Sequence, residues 1–371
     1  MADFLSVGLY TCIVVFTTYI SKYIFYSKSG LKRNIKKIIM AIFPALIAAF
    51  RGATGADSLM YINSYYNLQK IVESRTNGLE IGYQFVIRFF NILGLSHEAF
   101  LFFLSFFTIL FFEAFIENER EYIDIRFSTF LFFINLYMLS LNAMRQCLAI
   151  TMGLYSFSLY RKKQYAQYTI IVLLASTFHI SGLMSFSIIA CDLVFRNKYY
   201  KSLTFGAIFV GVFLVFNRNI LSNIMTFLTN ADYASYIAAD IGERGNIFSF
   251  TAKNLVPLFF LTIALVRTSK DDSRINYYVL TYGGYVLTML SLVTGTQADR
   301  LGLNFQSLNL VTLSHVLVSK AWIHINNKKC YINQNLFYMV FSLYYIHSIG
   351  FIKDLEDWCH MHHLLKYEHK I

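Results

Sequence analysis

The residues of this sequence with chemistry to offer are few, and most stand alone in apolar surroundings. Arg51 opens the stretch RGATGADSLMYINSYY, residues 51–66, which also holds Gly52, Gly55, Asp57 and three tyrosines. Small residues at 52–55 give a tight turn in which backbone N–H groups can face a ligand. Asp57 and Ser58 fall where a helix N-cap belongs, and Tyr61 and Tyr65 follow on one face of that helix. A guanidinium, free amides, a carboxylate and aromatic rings within one turn suit an anionic, sugar-bearing ligand. Taken alone, the stretch reads equally well as an ordinary helix-to-loop turn.

Arg145, in LNAMRQCLAI, sits at the junction of two apolar runs with Gln146 beside it. A charge held at the centre of a bilayer costs roughly 2.5–3.5 kcal/mol on insertion scales, so such a residue is paired, at an edge, or functional. His179, in LLASTFHISGLMSF, lies between two further apolar runs among Ser176, Thr177 and Ser181. It is either a hydrogen-bonded core histidine or, with an ordinary pKa of about 6.5, a proton acceptor near neutrality. The segment 218–252 interleaves Asp232, Asp240, Glu243 and Arg244 with Tyr233 and Tyr236, a composition that fits a saccharide or any solvated loop. Arg300, in GTQADRLGLNF, opens another apolar run. Planar guanidinium forks bind phosphate oxygens in pairs, so Arg51, Arg145, Arg244 and Arg300 together read as a diphosphate cradle. No Walker loop, GxGxxG, HExxH or DxD pair occurs, which argues against ATP hydrolysis and a metal-bound nucleotide-sugar donor. The tail motif WCHMHH (Trp358–His363) has no acidic or thiolate partner, so no metal site is assigned.

The composition says what must position these groups. Of 371 residues, 56% are hydrophobic and only 14% charged, with a mean hydropathy of +0.49. Soluble chains carry about a quarter charged residues. Continuous apolar runs therefore point to an all-α, polytopic membrane protein and not to a β-barrel, whose strands would alternate. Twelve spans are expected, near 4–26, 35–50, 98–116, 127–143, 144–160, 165–178, 180–195, 202–217, 253–267, 275–294, 301–320 and 332–350. They form a single domain over 1–371, with long loops at 51–97 and 218–252. Phe4–Tyr26 is long enough to act as an uncleaved first helix. The basic segment 22–37 belongs on the cytoplasmic side, and alternation then puts 20 of the 32 Lys and Arg residues there. The acidic segment 117–126 fits that assignment poorly. The net charge of +11 is thereby explained by the membrane and calls for no nucleic acid. The five cysteines show no CxxC and read as packing residues. On this topology Arg51–Tyr66, Arg145, His179, segment 218–252 and Arg300 all face outward.

These motifs resemble the EpsG-like branch of the Wzy-type polysaccharide polymerases. The resemblance rests on Arg51, Gly52, Gly55, Asp57 and Tyr61, and on the segment LEIGYQFVIRFFNILGLS. It extends to Met144, Arg145, Gln146 and Ala149, to Phe178, His179 and Ser181, and to Arg300 with Phe305. Two positions depart from the pattern: Ala56 stands where threonine is common, and Asn304 precedes Phe305 where tyrosine is frequent. The resemblance implies a glycosyltransferase in the bacterial inner membrane that works without a cofactor. It would join undecaprenyl-diphosphate-linked oligosaccharides into O-antigen, capsule or exopolysaccharide, with a flippase and a chain-length regulator as partners. Arg51, Arg145 and Arg300, with Arg244 as a fourth, would hold the diphosphate. His179 is the first choice of base and Asp57 the second, with orientation of Arg51 or a sugar hydroxyl as the other role of Asp57. Tyr61 would line the substrate. The rival readings are a flippase for the same lipid-linked unit and a membrane acyltransferase.

Overall fold

The computed structural model describes residues 2–52, 57–68, 79–195, 247–267, 274–294, 296–318, 322–325 and 328–331, with a few single positions between. The chain divides into two compact units, residues 1–183 with 333–371, and residues 184–332. The described residues are helical apart from one two-stranded hairpin. Three stretches, Gly8–Phe25, His97–Glu119 and Arg300–Val318, are long and apolar enough to cross a bilayer, and several shorter apolar helices accompany them.

The first unit contains α1 (Ala2–Phe25), α2 (Gly30–Phe50), α3 (Ser58–Tyr66), α4 (Ile81–Ile92) and α5 (His97–Glu119). It continues with α6 (Ile125–Leu131), which runs through a π-helical turn (Phe132–Tyr137), then α7 (Met144–Arg161) and α8 (Tyr165–Phe178). Helices α2, α5, α7 and α8 pack successively side by side, α1 lies on α6, and α4 touches both α5 and α8. The middle helix, α7, is buried almost all round and carries Ala149, Gly153, Ser156 and Ser158 among its buried or tightly packed positions. Small residues of this kind let neighbouring helix backbones approach closely.

Two polar belts lie at opposite ends of these helices. At one end Glu117 takes Arg33 at 2.9 Å and Arg120 at 2.9 Å, with Lys37 at 3.9 Å. Beside it Arg161 forks onto the wholly buried Glu119, Nε to Oε1 at 3.0 Å and Nη2 to Oε2 at 3.0 Å. Tyr122 stacks on that guanidinium at 5.1 Å. The other end of α7 carries Arg145, sixteen residues and hence about 24 Å away at 1.5 Å per residue. That separation approaches the roughly 30 Å hydrocarbon thickness of a bilayer. The belt also accounts for the acidic segment that suited the charge pattern poorly, because its carboxylates neutralise cations from α2 and α7. One boundary moves as a result. Lys32, Arg33, Lys36 and Lys37 lie within the first turns of α2, beyond the Ser29 cap, and not in a loop. Cations oppose the dipole there, and Glu117 offsets them.

The second unit contains α9 (Ser187–Phe195), α10 (Ile247–Arg267), α11 (Ile275–Thr294), α12 (Thr296–Gln306), α13 (Asn309–Val318) and the hairpin β1 (Trp322–Ile325) with β2 (Lys328–Tyr331). Trp322 pairs with Tyr331 and Ile325 with Lys328. Helix α11 matches its expected span residue for residue, whereas the expected span 301–320 is broken after Gln306. The break has a local cause: Ser307 Oγ donates to Asn304 O at 2.8 Å, and Asn304 Nδ2 donates to the carbonyls of Arg300 and Leu301. Such side-chain bonds compete with the helical ladder. The expected spans 202–217 and 332–350 fall almost wholly outside the described residues.

The Arg161–Glu119 fork generates a stability prediction. Removing one partner of a buried ion pair costs about 3–5 kcal/mol. Arg161→Ala and Glu119→Ala should each lower the thermal unfolding temperature of the detergent-purified protein markedly. The double variant should lose clearly less than the sum. Additive losses would mean that the pair does not couple α5 to α7.

Candidate functional site

The site is built from chain segments that are distant in sequence. Helix α2 ends at Arg51, and Gly52 follows with φ +67°, the left-handed turn that terminates helices and that glycine adopts at no steric cost. Ser58 Oγ donates back to Gly52 O at 2.9 Å, which returns the chain into α3. Asp57 occupies the N-cap position of α3, as the sequence led us to expect, although its side chain does not cap the helix. Tyr61 and Tyr65 are both buried on the inner face of α3. Asn91 Nδ2 donates to Tyr65 O at 3.2 Å and the Tyr65 hydroxyl to Leu95 O, so α3 is fastened to the far end of α4.

Arg145 begins α7 and donates to Glu80, the residue that precedes α4, in a close ion pair. The guanidinium also lies over the Tyr83 ring at 5.0 Å and hydrogen-bonds the Tyr61 phenol. Tyr61 and Tyr83 meet edge to face at 6.3 Å. Arg145 keeps 17% of its side chain exposed and Glu80 22%. Glu80 is the N-cap residue of α4, a position at which a carboxylate interacts favourably with the helix macrodipole.

Arg51 stands behind this pair. It is wholly buried, its Nη2 lies 3.7 Å from the Met144 sulfur, and the phenols of Tyr10, Tyr137 and Tyr61 act on its charge. Burial pulls the guanidinium below its ordinary pKa, but an arginine stays protonated at any physiological pH. Since Met144 and Arg145 are consecutive, the two cations are placed by the same turn of chain. Burial pushes the Tyr61 phenol up to about 12 against the pull of Arg145, and Tyr83 is raised still further by burial. Both therefore act as neutral phenols.

His179 ends α8 with extended backbone. Its Nδ1 accepts the backbone N–H of Ser181 at 3.2 Å and faces the Ser181 hydroxyl at 2.8 Å. An N–H can only donate, so in the neutral ring the proton resides on Nε2. Helices α4 and α8 meet beside it, so closely that a Cβ on Gly82 would clash with Thr177 Oγ1.

The structure thus gathers Arg51, Tyr61 and Arg145, sets Asp57 one turn before Tyr61, and places His179 at the adjoining end of α8. Arg300 is exposed on α12 in the second unit, and Arg244 lies outside the described residues, as do Asp232, Tyr233, Tyr236, Asp240 and Glu243. Two members were not singled out from sequence, Glu80 and Tyr83. Their signal was the acid directly before an apolar helix in LEIGYQ, the class of partner that an arginine among apolar residues demands.

Two predictions follow from this geometry. With only 17% and 22% of its side chains exposed, the Arg145–Glu80 pair contributes more than the about 0–1 kcal/mol of a surface pair. Glu80→Ala should lower both the melting temperature and the activity. Glu80→Gln, whose amide oxygen still accepts from Arg145, should lose less stability than Glu80→Ala. An unchanged melting temperature in Glu80→Ala would show that the pair does not position α4. The Tyr61 phenol binds its proton more tightly in the folded than in the unfolded chain. Its stabilising contribution is therefore complete below its ordinary pKa of 10.0 and is lost as pH rises toward about 12. Alkaline unfolding should flatten in Tyr61→Phe, and an unchanged curve would show that this phenol is not held neutral by the fold.

Comparison with curated proteins and with solved structures returns no match. Comparison with protein families returns the profile described as the EpsG family, which matches residues 34–368 and so includes Arg51, Asp57, Tyr61, Glu80, Tyr83, Arg145 and His179. The chain therefore belongs to the EpsG family, membrane proteins of polysaccharide biosynthesis.

Proposed function

We propose that the protein is a polymerase of undecaprenyl-diphosphate-linked oligosaccharide repeat units, a multi-pass glycosyltransferase of the bacterial inner membrane that acts on its outer face. The observation that carries this reading is that Arg51, against the Met144 sulfur, and Arg145, on Glu80, both fall at the α7 N-terminal end of the first unit, opposite the belt of Lys, Arg and Glu at the other. The family membership supports the polysaccharide pathway, and the expected topology of about twelve spans in one domain puts this end outside.

In the proposed reaction an acceptor hydroxyl of one repeat unit attacks the anomeric carbon of the glycan on another carrier. The new C–O bond forms as the bond to the diphosphate breaks, and the diphosphate leaves with the electron pair. Arg145 meets the growing negative charge directly, and Arg51 adds a fixed positive field from behind it, so no metal is called for. Electrostatics organised before the reaction contribute more than groups that must reorient during it. The proton of the hydroxyl goes to a base, for which His179 and Asp57 are the candidates. The Ser181 N–H on Nδ1 favours Nε2–H as a donor to a phosphate oxygen, which leaves Asp57 as the stronger candidate for base. Tyr61 and Tyr83 offer hydroxyl and ring contacts to sugar. Arg244 and Arg300 are the two further arginines that the sequence resemblance proposes for the diphosphate. A flippase and a chain-length regulator are the proposed partners.

A deletion strain complemented with variants tests this. Arg145→Ala should give surface glycan ending at one repeat unit, with the protein still in the membrane. In a membrane assay its rate should fall by about 10²–10³-fold, the usual effect of removing one transition-state donor. Loss of all surface glycan, with lipid-linked units trapped inside, would identify a flippase. Wild-type chain lengths would remove Arg145 from the mechanism.

A further inference from the structure

The first unit carries an open cavity of about 470 Å³ whose lining is apolar. Helix α5 contributes Phe103, Phe107 and Phe111, which recur every four residues along one face and extend about 12 Å along its axis. Leu148 and Met152 of α7 line it too, and Leu174 and Phe178 of α8 face it from another side. Ile81 and Phe85 of α4 complete the lining. The one hydroxyl in the lining, Thr177 Oγ1, is engaged by Leu174 O at 2.7 Å. Ile81, Phe85 and Leu174 are 74%, 67% and 43% exposed, so the cavity opens on the flank of the unit. Its volume falls in the range of small-molecule pockets, about 300–1,000 Å³.

What lies next to the cavity in sequence says what it takes. Ile81 follows Glu80, Leu148 stands one turn beyond Arg145, and Phe178 precedes His179. Three of its lining segments thus lead directly into the cationic site, and a ligand filling both has an anionic head and an apolar chain. We infer that the cavity holds the head-proximal isoprene units of the polyisoprenyl chain on which the diphosphate is carried. This rests on the proposed function and adds a subsite to it. An isoprenoid fits better than a straight acyl chain for a physical reason. Its double bonds and methyl branches leave fewer torsions to freeze in a shaped aromatic slot, and fewer frozen torsions mean less entropy lost on binding.

A photoreactive benzophenone side chain at Leu174, in the full-length protein in native membranes, tests the cavity without requiring turnover. Irradiation followed by mass spectrometry should show polyprenyl adducts at Leu174. The same probe at Ile170, 63% exposed one turn away on α8 and not part of the lining, should capture phospholipid. Phospholipid alone at both positions would overturn the inference. A second measurement uses oligosaccharide donors whose diphosphate carries either a farnesyl or an unbranched alkyl chain of equal length. Wild type should favour farnesyl by about tenfold or more in kcat/KM, the scale on which apolar pockets sort closely related groups. Leu174→Trp, which adds bulk to the cavity lining, should erase that preference. An equal rate for both donors, or a preference untouched by Leu174→Trp, would overturn the inference while leaving polymerisation standing. No polymer from either donor, together with polyprenyl adducts at Leu174, would overturn the proposed reaction and uphold the cavity.

Discussion

Everything in the first unit that bears on function is arranged around one contact, the ion pair between Arg145 at the start of α7 and Glu80 at the start of α4. An arginine at the head of an almost wholly buried helix cannot be left without a counter-charge, and Glu80 supplies one from 65 residues away. The pair fixes where α4 begins, and with it the position of Tyr83 under the guanidinium. It also holds Arg145 part-exposed while Arg51, one residue along through Met144, is sealed beneath. A cation at the surface with a second buried behind it is a directional field, and it costs no motion to bring it to bear on an anion.

The opposite end of the same helices carries a different kind of polarity. There Glu117 holds Arg33, Lys37 and Arg120 and Glu119 holds Arg161, so the helices are bolted together by ion pairs. One end ties its charges into ion pairs between helices, and the other presents Arg145, held by Glu80, at the head of α7. Between them lie about 24 Å of apolar helix on α7. A chain that must sit in a bilayer has few places to put polar groups, and this division between a structural end and a chemical end follows from that constraint.

Much of this was legible in the sequence, for reasons that can be named. The apolar runs gave the helices, because a helix facing lipid needs hydrophobicity all round and little else. Span 275–294 and the cap position of Asp57 came out where expected. Arg145 stood out because a charge among apolar residues is expensive. Its partner did not, because pairing over 65 residues is set by tertiary packing, here by the approach of α4 to α8 at Gly82 and Thr177. The break at Ser307 was equally hidden, since a single side-chain bond accompanies it. The tautomer of His179 depends on a backbone N–H two residues on, which no residue type reveals.

The central claim is that this membrane protein forms glycosidic bonds with a site organised by Arg145 and Glu80. The most direct measurement is reconstitution of the purified protein in liposomes with a polyprenyl-diphosphate-linked repeat unit as the sole substrate, followed by sizing of the glycan. The account predicts chains of two or more repeats with release of polyprenyl diphosphate, and none from the Arg145→Ala protein. Repeat units that cross the bilayer and remain single would contradict it.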